Sequence, residues 1–157
     1  MQGTFKSGVV LLVTLALLTA CGGSSPSTTT NQTANFKTSF EAVANQLQQS
    51  AHAIATAIQQ SSKQTDAQIA TAFHNLATGW QNQLSKLQTL KPPSNLSTNF
   101  NTVASAASRV EADLTSIASA AATHNAAGAQ QASASLVSDI LSAKAASTVI
   151  ANKLGAK

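Results

Sequence analysis

Ionisable side chains, the groups that most often carry catalysis, are scarce in this sequence. The acids are Glu41, Asp66, Glu111, Asp113 and Asp139. Only Glu111 and Asp113 are close in sequence, and two residues that are two apart on a helix point in different directions. Arg109 and Asp113 are four apart, a spacing that favours an ion pair on the surface of a helix. No glycine-flanked nucleophile and no glycine-rich phosphate loop is present. We therefore expect no catalytic residues, no cofactor and no enzymatic activity.

Three histidines are the other candidate ligands, His52, His74 and His124. His52 and His74 would lie at similar heights on antiparallel helices, but both fall outside the apolar stripes of their segments. His124 belongs near a loop at the end of a helix. A metal site needs three or four converging ligands, and no cysteine, methionine or acid joins these histidines at ligand spacing. The sequence predicts exposed histidines and no metal site.

Cys21 is the only thiol, which excludes an intramolecular disulfide within the chain. Before it, Lys6 is followed by an apolar run from Val9 to Leu18, which is too short for a comfortable membrane-spanning helix. The run ends in Leu18-Thr19-Ala20-Cys21. This ending resembles the lipobox of bacterial lipoproteins, in which leucine, a small residue, and alanine or glycine precede a cysteine.

The resemblance implies that a diacylglyceryl group is attached to the Cys21 thiol and that a peptidase cuts between Ala20 and Cys21. Residues 1–20 would then be a lipoprotein signal peptide. The mature protein would be held in the lipid bilayer by acylated Cys21, on the extracytoplasmic face of the cell membrane. Gly22 takes the place of the aspartate that retains such proteins at an inner membrane. In a host with two membranes, this favours the outer membrane.

The composition of the mature chain argues against nucleic-acid binding. Charged residues make up only 9% of the chain, against about 25% in typical soluble domains, and the basic ones are scattered in sequence rather than clustered. Residues 21–34 are rich in glycine, serine and threonine and lack apolar periodicity. We interpret them as the lipidated cysteine and a flexible tether, which as a coil would span about 20 Å.

From Phe36 onward, apolar residues recur every three or four positions, the period of one helix face. Four such stripes predict helices at about 35–62, 66–90, 94–123 and 126–154. Thr65 and Gln68 fit a capping box that starts the second helix. Pro92-Pro93 ends it, and Gly155 lies just past the fourth helix, where a C-terminal glycine is common. Strand signals are absent, so the fold class predicted for residues 35–157 is an all-α, up-down-up-down antiparallel four-helix bundle.

The whole chain is similar to small, uncharacterised helical-bundle lipoproteins of actinobacteria and related bacteria. In these, a lipobox and a tether precede a helical domain, and a segment like Leu87-Gln88-Thr89-Leu90-Lys91-Pro92-Pro93 joins two hairpins. The lack of a catalytic set, together with the predicted lipid anchor, suggests a non-enzymatic interaction or scaffold module with an envelope protein partner. The alternative hypothesis is a carrier or sensor of a small apolar ligand, bound in the bundle core beside Phe73, Trp80 and Phe100.

Overall fold

A computed structural model describes residues 27–155, with side chains from residue 31 onward. The described part of the chain forms an all-α bundle of four helices, with successive helices running in opposite directions. These are α1 (Ser27–Gln60), α2 (Asp66–Gln88), α3 (Ser97–Ala122) and α4 (Ala126–Lys153). Single turns of 3-10 helix, Ser61–Lys63 and Ser94–Leu96, lie in the first two links. The predicted fold class is confirmed.

The first helix begins eight residues earlier than the sequence predicts. Residues 27–34 belong to α1, and the prediction that the tether extends to residue 34 is therefore wrong for this part. The physical reason is that no glycine or proline occurs between Ser27 and Gln60, so nothing interrupts the backbone hydrogen bonds of the helix. Thr38 illustrates this continuity, because its hydroxyl donates to the carbonyl of Ala34, four residues before it, at 3.2 Å.

The other helix ends follow the predicted signals closely. The Thr65 N–H donates to Gln68 Oε1 at 2.9 Å, and the Gln68 N–H donates to Thr65 Oγ1 at 3.4 Å, which completes the capping box. Leu154 caps the end of α4, and Gly155 follows it with a φ of +65°, the left-handed conformation that glycine adopts without strain.

The turn between α3 and α4 places a non-glycine residue in the left-handed region. His124 has a φ of +54°, and its N–H donates to the carbonyl of Ala121. The Asn125 N–H donates to the carbonyl of Ala120, so the pair of bonds forms a Schellman motif. Asn125 then starts the next helix, since its side-chain oxygen accepts from the Gly128 N–H at 3.0 Å. His124 thus closes α3, and Asn125 caps α4.

The core is apolar throughout, and no polar or charged residue among those described is buried in it. α3 supplies its centre, because its inner face is inaccessible to solvent on both the α2 and the α4 side. This face comprises Val103, Ala106, Ala107, Val110 and Leu114. Small side chains allow neighbouring helices to approach closely, and α3 packs against both α2 and α4 along most of its length.

The packing between α1 and α4 is looser than that around α3. α1 contributes large side chains up to residue 47, such as Phe40 and Leu47, but after residue 47 only Ile54 is fully buried. Facing it, α4 buries mostly alanine, including Ala143 and Ala146. Because α4 has short side chains here and α1 has few large ones, a gap remains between the two helices.

Candidate functional site

A groove runs between α1 and α4 and encloses about 470 Å³. This volume lies within the range of about 300–1,000 Å³ that small-molecule sites occupy. Its walls are mostly apolar and come from the middle of α1 and the second half of α4. The apolar lining residues are Phe40, Ala44, Leu47, Ala51, Trp80, Ile140, Ala143 and Ala151. Such a groove can bind an apolar, elongated group, with specificity supplied by polar residues at its rim.

Trp80 reaches the groove from α2, on the far side of the core. Its indole is only 2% exposed, and its Nε1–H donates to the carbonyl oxygen of Ala107 at 2.7 Å. This bond satisfies the one polar atom of a large buried ring and fixes the orientation of the indole between α2 and α3. The ring therefore forms a rigid part of the groove floor.

The three aromatic residues predicted as ligand contacts do not lie in one place. Trp80 lines the groove, whereas Phe73 and Phe100 do not. Phe73 is 1% exposed in the core. Phe100 packs against two aromatic rings of α1, with centroid distances of 5.8 Å to Phe36 and 6.4 Å to Phe40. Phe36, Phe40 and Phe100 form an aromatic cluster near the start of α1 and α3, and they hold α1 to the bundle.

Two charged residues of opposite sign stand at the rim of the groove, Glu41 on α1 and Lys144 on α4. Glu41 lies 3.9 Å from the ammonium group of Lys37, one turn earlier on α1, in a pair that is open to solvent. Asn45, Gln48, Ser147 and Thr148 complete the polar rim. The groove thus combines apolar walls with a rim that carries hydrogen-bonding groups and charges of both signs, an arrangement suited to an amphiphile.

The outward face of α4 is a second unusual surface. Val137, Leu141 and Val149 are 49%, 60% and 39% exposed, and they are the large exposed hydrophobic residues of the described chain. With the exposed Ala145, they follow one another at intervals of four residues, and so lie in one row along the helix. We call these four residues the α4 row. By length and composition α4 resembles a membrane-spanning helix, yet only 22% of its most apolar 18-residue window is buried.

A small charged cluster joins α3 to α4 and corrects one prediction. Arg109 does not pair with Asp113, as its spacing suggested. Its Nε–H donates to Asp139 Oδ1 on α4 at 2.8 Å. Arg109 pairs across helices because α4 packs directly against this face of α3 and brings Asp139 within hydrogen-bonding distance. Burial raises the pKa of Asp113, the negative charge of Asp139 raises it further, and Arg109 opposes both effects. The Oδ2 atom of Asp113 is buried without a hydrogen-bond partner in the described structure.

The histidines lie where the sequence predicts, on the surface. His52 and His74 are exposed, and the part of the chain that the structure describes contains no group of three or more histidine, cysteine or acidic residues able to hold a metal ion. His124, however, has a partner that the sequence did not indicate. Its Nδ1 forms a hydrogen bond with Asp66 Oδ2, which ties the turn between α3 and α4 to the first residue of α2.

Cys21 and Ala20, the predicted sites of lipidation and cleavage, lie outside the described residues. Their assignment rests on the sequence. Sequence reasoning missed the α4 row, although a signal was present, since Val137, Leu141 and Val149 do not belong to the fourth apolar stripe. Comparison with protein-family models, curated proteins and solved structures gave no match to the chain.

Substitution of Asp113 by asparagine tests the charged cluster. The folded-state pKa of Asp113 lies above its ordinary value of 3.8, so the fold favours the protonated carboxyl. The protonated Asp113 carboxyl therefore stabilises the fold below pH 3.8, and this stabilisation is lost as the pH rises through the raised pKa. We therefore expect Asp113→Asn to raise the free energy of unfolding at pH 7 slightly, by less than about 0.5 kcal/mol, and this gain to vanish in acid.

Urea unfolding at pH 7 and pH 3.5 measures the effect, with Glu111→Gln as the control. Glu111 lies two positions away on the same helix, so the control removes the same charge and leaves the Asp113 carboxylate in place. Equal shifts for both variants, or a loss of stability at pH 7 for Asp113→Asn alone, would contradict the assignment.

Proposed function

We propose that the protein is a lipid-anchored, extracytoplasmic and non-enzymatic interaction module of the bacterial cell envelope. The anchor is supported by Leu18-Thr19-Ala20-Cys21 and by the apolar run before it. One acyl chain gives only marginal membrane binding, whereas the two chains of a diacylglyceryl group anchor a protein stably. The bundle begins at Ser27, six positions after Cys21, so an extended connection of about 20 Å at most separates it from the anchor.

Replacing Cys21 by alanine should abolish both acylation and processing. In a bacterial host, we expect the wild-type chain in the membrane fraction, beginning at Cys21 and carrying the mass of a diacylglyceryl group. Cys21→Ala should accumulate as the unprocessed, unacylated chain, because only a thiol can form the thioether. Ser24→Ala, which alters the same segment without touching the thiol, should behave as wild type. Intact-mass analysis of wild-type protein with a free Cys21 thiol would disprove the anchor.

The observation that carries the interaction role is the α4 row. Four apolar residues, Val137, Leu141, Ala145 and Val149, line the side of α4 that faces away from the core. Over twelve residues the row is about 18 Å long. Apolar residues scattered singly on a surface need no explanation, but a continuous row marks an interaction site. Its spacing fits a partner helix that lays its own apolar face along α4.

Site-specific photo-crosslinking in living cells tests this face. A crosslinking amino acid at Leu141 should give one discrete adduct with an envelope protein, and the adduct should disappear when Val137→Ser and Val149→Ser are added. The same amino acid at Gln81, an exposed residue of α2, should give none. A discrete adduct at Gln81 with none at Leu141 would assign the interaction to another face. An adduct at Leu141 that persists in the Val137→Ser, Val149→Ser variant would exclude the α4 row as the binding site.

The groove between α1 and α4 favours a second candidate function, the carriage of a small apolar ligand. Its volume is sufficient, its walls are apolar, and Trp80 forms part of its floor. The function would then depend on the groove and not on the α4 row. Of the three aromatic residues predicted for this role, only Trp80 is in position to report or contact such a ligand.

Native mass spectrometry of residues 22–157, produced in the envelope without the lipid, tests for cargo. If the groove carries a ligand, wild type should show a reproducible extra mass of a few hundred daltons. Ala44→Phe fills the groove and should remove the extra mass, whereas Ala55→Phe, on an exposed position of α1, should retain it. Likewise, a bromine-labelled fatty acid should quench Trp80 fluorescence in wild type and not in Ala44→Phe. A bare wild-type mass with unquenched Trp80 would exclude the carrier function.

A further inference from the structure

Charge is distributed unevenly along the axis of the bundle. Side-chain contacts fix which parts of the helices share a height, since Lys86 bonds to Gln46 and Lys153 bonds to Asn99. One half of the bundle contains α1 up to residue 48, α3 up to residue 107, the end of α2 from residue 84, α4 from residue 143, and the link between α2 and α3. Its basic residues, which we call the lysine end, are Lys37, Lys86, Lys91, Lys144 and Lys153. Glu41 is the one acid among the described residues of this half.

The opposite half has the reverse balance. Its acids are Asp66, Glu111, Asp113 and Asp139. Its two basic residues are Lys63 and Arg109, and the guanidinium of Arg109 is paired with Asp139. The protein is therefore an electric dipole along its long axis, although its basic residues are scattered in sequence. The antiparallel topology produces this arrangement, because it brings the ends of α2 and α4 beside the beginnings of α1 and α3.

The lysines are available to an external anion. Lys86, Lys91, Lys144 and Lys153 are exposed, and the two that have side-chain partners bond to neutral amides, Lys86 to Gln46 at 3.4 Å and Lys153 to Asn99 at 3.0 Å. An amide does not neutralise an ammonium group. Only Lys37 faces a carboxylate, at 3.9 Å in a solvent-exposed pair, and such pairs are weak. Most of the positive charge at this end is thus uncompensated.

The lysine end is also the end at which the chain leaves towards Cys21. α1 starts there, and residues 27–35 precede Phe36, the first core residue. These nine residues carry no charge and measure about 14 Å as a helix. At full extension the six residues from Cys21 reach about 20 Å, which is more than these roughly 14 Å, so a tilted bundle can bring its lysines down to the membrane surface. There they would lie within the Debye length of about 8–10 Å over which exposed charges interact.

We propose that the lysine end binds the anionic headgroups of the bilayer that holds Cys21. The choice of this bilayer rests on the lipid anchor of the proposed function, whereas the attraction between lysines and headgroups does not. The acidic half then points away from the membrane. The anchor alone would leave the bundle free to rotate about its attachment. Binding of the lysines to headgroups would favour one orientation of the bundle.

Vesicle sedimentation with unlipidated residues 22–157 tests the proposal independently of Cys21. Every core residue of the described chain lies between Phe36 and Ile150, so residues 22–157 retain the whole bundle. At low salt we expect binding to vesicles of phosphatidylglycerol and phosphatidylcholine, no binding to phosphatidylcholine alone, and release by added salt. Lys91→Gln should weaken binding about fivefold. Lys63→Gln should leave binding unchanged, although it removes the same charge from an equally exposed link at the other end.

The combined variant Lys86→Gln, Lys91→Gln, Lys144→Gln and Lys153→Gln should abolish binding, with an unchanged far-ultraviolet circular dichroism spectrum. Equal weakening by Lys63→Gln and Lys91→Gln would show that only net charge matters and would overturn the oriented lysine end. Failure of the wild type to bind anionic vesicles would overturn it outright. Neither result would bear on acylation of Cys21, which intact-mass analysis of the full chain decides separately.

Discussion

The close contact of α3 with both neighbouring helices is the constraint on which the rest of the bundle depends. Its inner face alternates short and branched side chains, among them Ala106, Ala107 and Val110, none of them accessible to solvent. Alanine at these positions lets α2 and α4 approach closely. Trp80 can then bring its indole N–H within 2.7 Å of the Ala107 carbonyl. This bond crosses the core between two helices and fixes their relative height, in a core that otherwise contains only apolar contacts.

The same choice of small residues leaves α1 as the weakly held helix. α4 uses its alanines to fit against α3, so it has few large side chains left to fill the space towards α1. The aromatic cluster of Phe36, Phe40 and Phe100 secures the beginning of α1. Beyond this cluster the side chains of α1 and α4 do not fill the space between the two helices, and the groove opens there. The groove is therefore a consequence of how tightly α3 and α4 pack, and its position follows from the composition of α4.

The helices themselves could be predicted because their signals are local. Periodic apolar residues, the capping box of Thr65 and Gln68, the two prolines and Gly155 each act within a few residues, and the structure bears them out. The start of α1 was missed because residues 27–34 are rich in threonine and have no apolar periodicity, although Pro26 lies directly before Ser27 and no glycine or proline follows within the helix. A helix already nucleated by tertiary contacts from Phe36 onward extends backwards through such residues at little cost.

Contacts between helices were the part that the sequence did not reveal. Arg109 had a suitable partner one turn away in Asp113, and only the packing of α3 on α4 showed that Asp139 is the one it meets. The same packing partly buries Asp113 and places it near Asp139, and both effects raise the pKa of Asp113. The bond between His124 and Asp66 likewise joins residues 58 positions apart. Ion pairs within a helix and between helices differ little in free energy, so spacing alone does not decide between them.

α4 connects the three surfaces of interest. One side closes the core, a second forms a wall of the groove, and a third carries the α4 row into solvent. A helix that is apolar around most of its circumference is usually buried, yet α4 leaves Leu141 60% exposed. The position of the lysine end restricts which partners can cover the α4 row. The lysine end is suited to a headgroup surface lying across the bundle axis, and the α4 row runs along that axis. If the lysine end faces a bilayer, the α4 row is directed sideways, parallel to the plane of that bilayer.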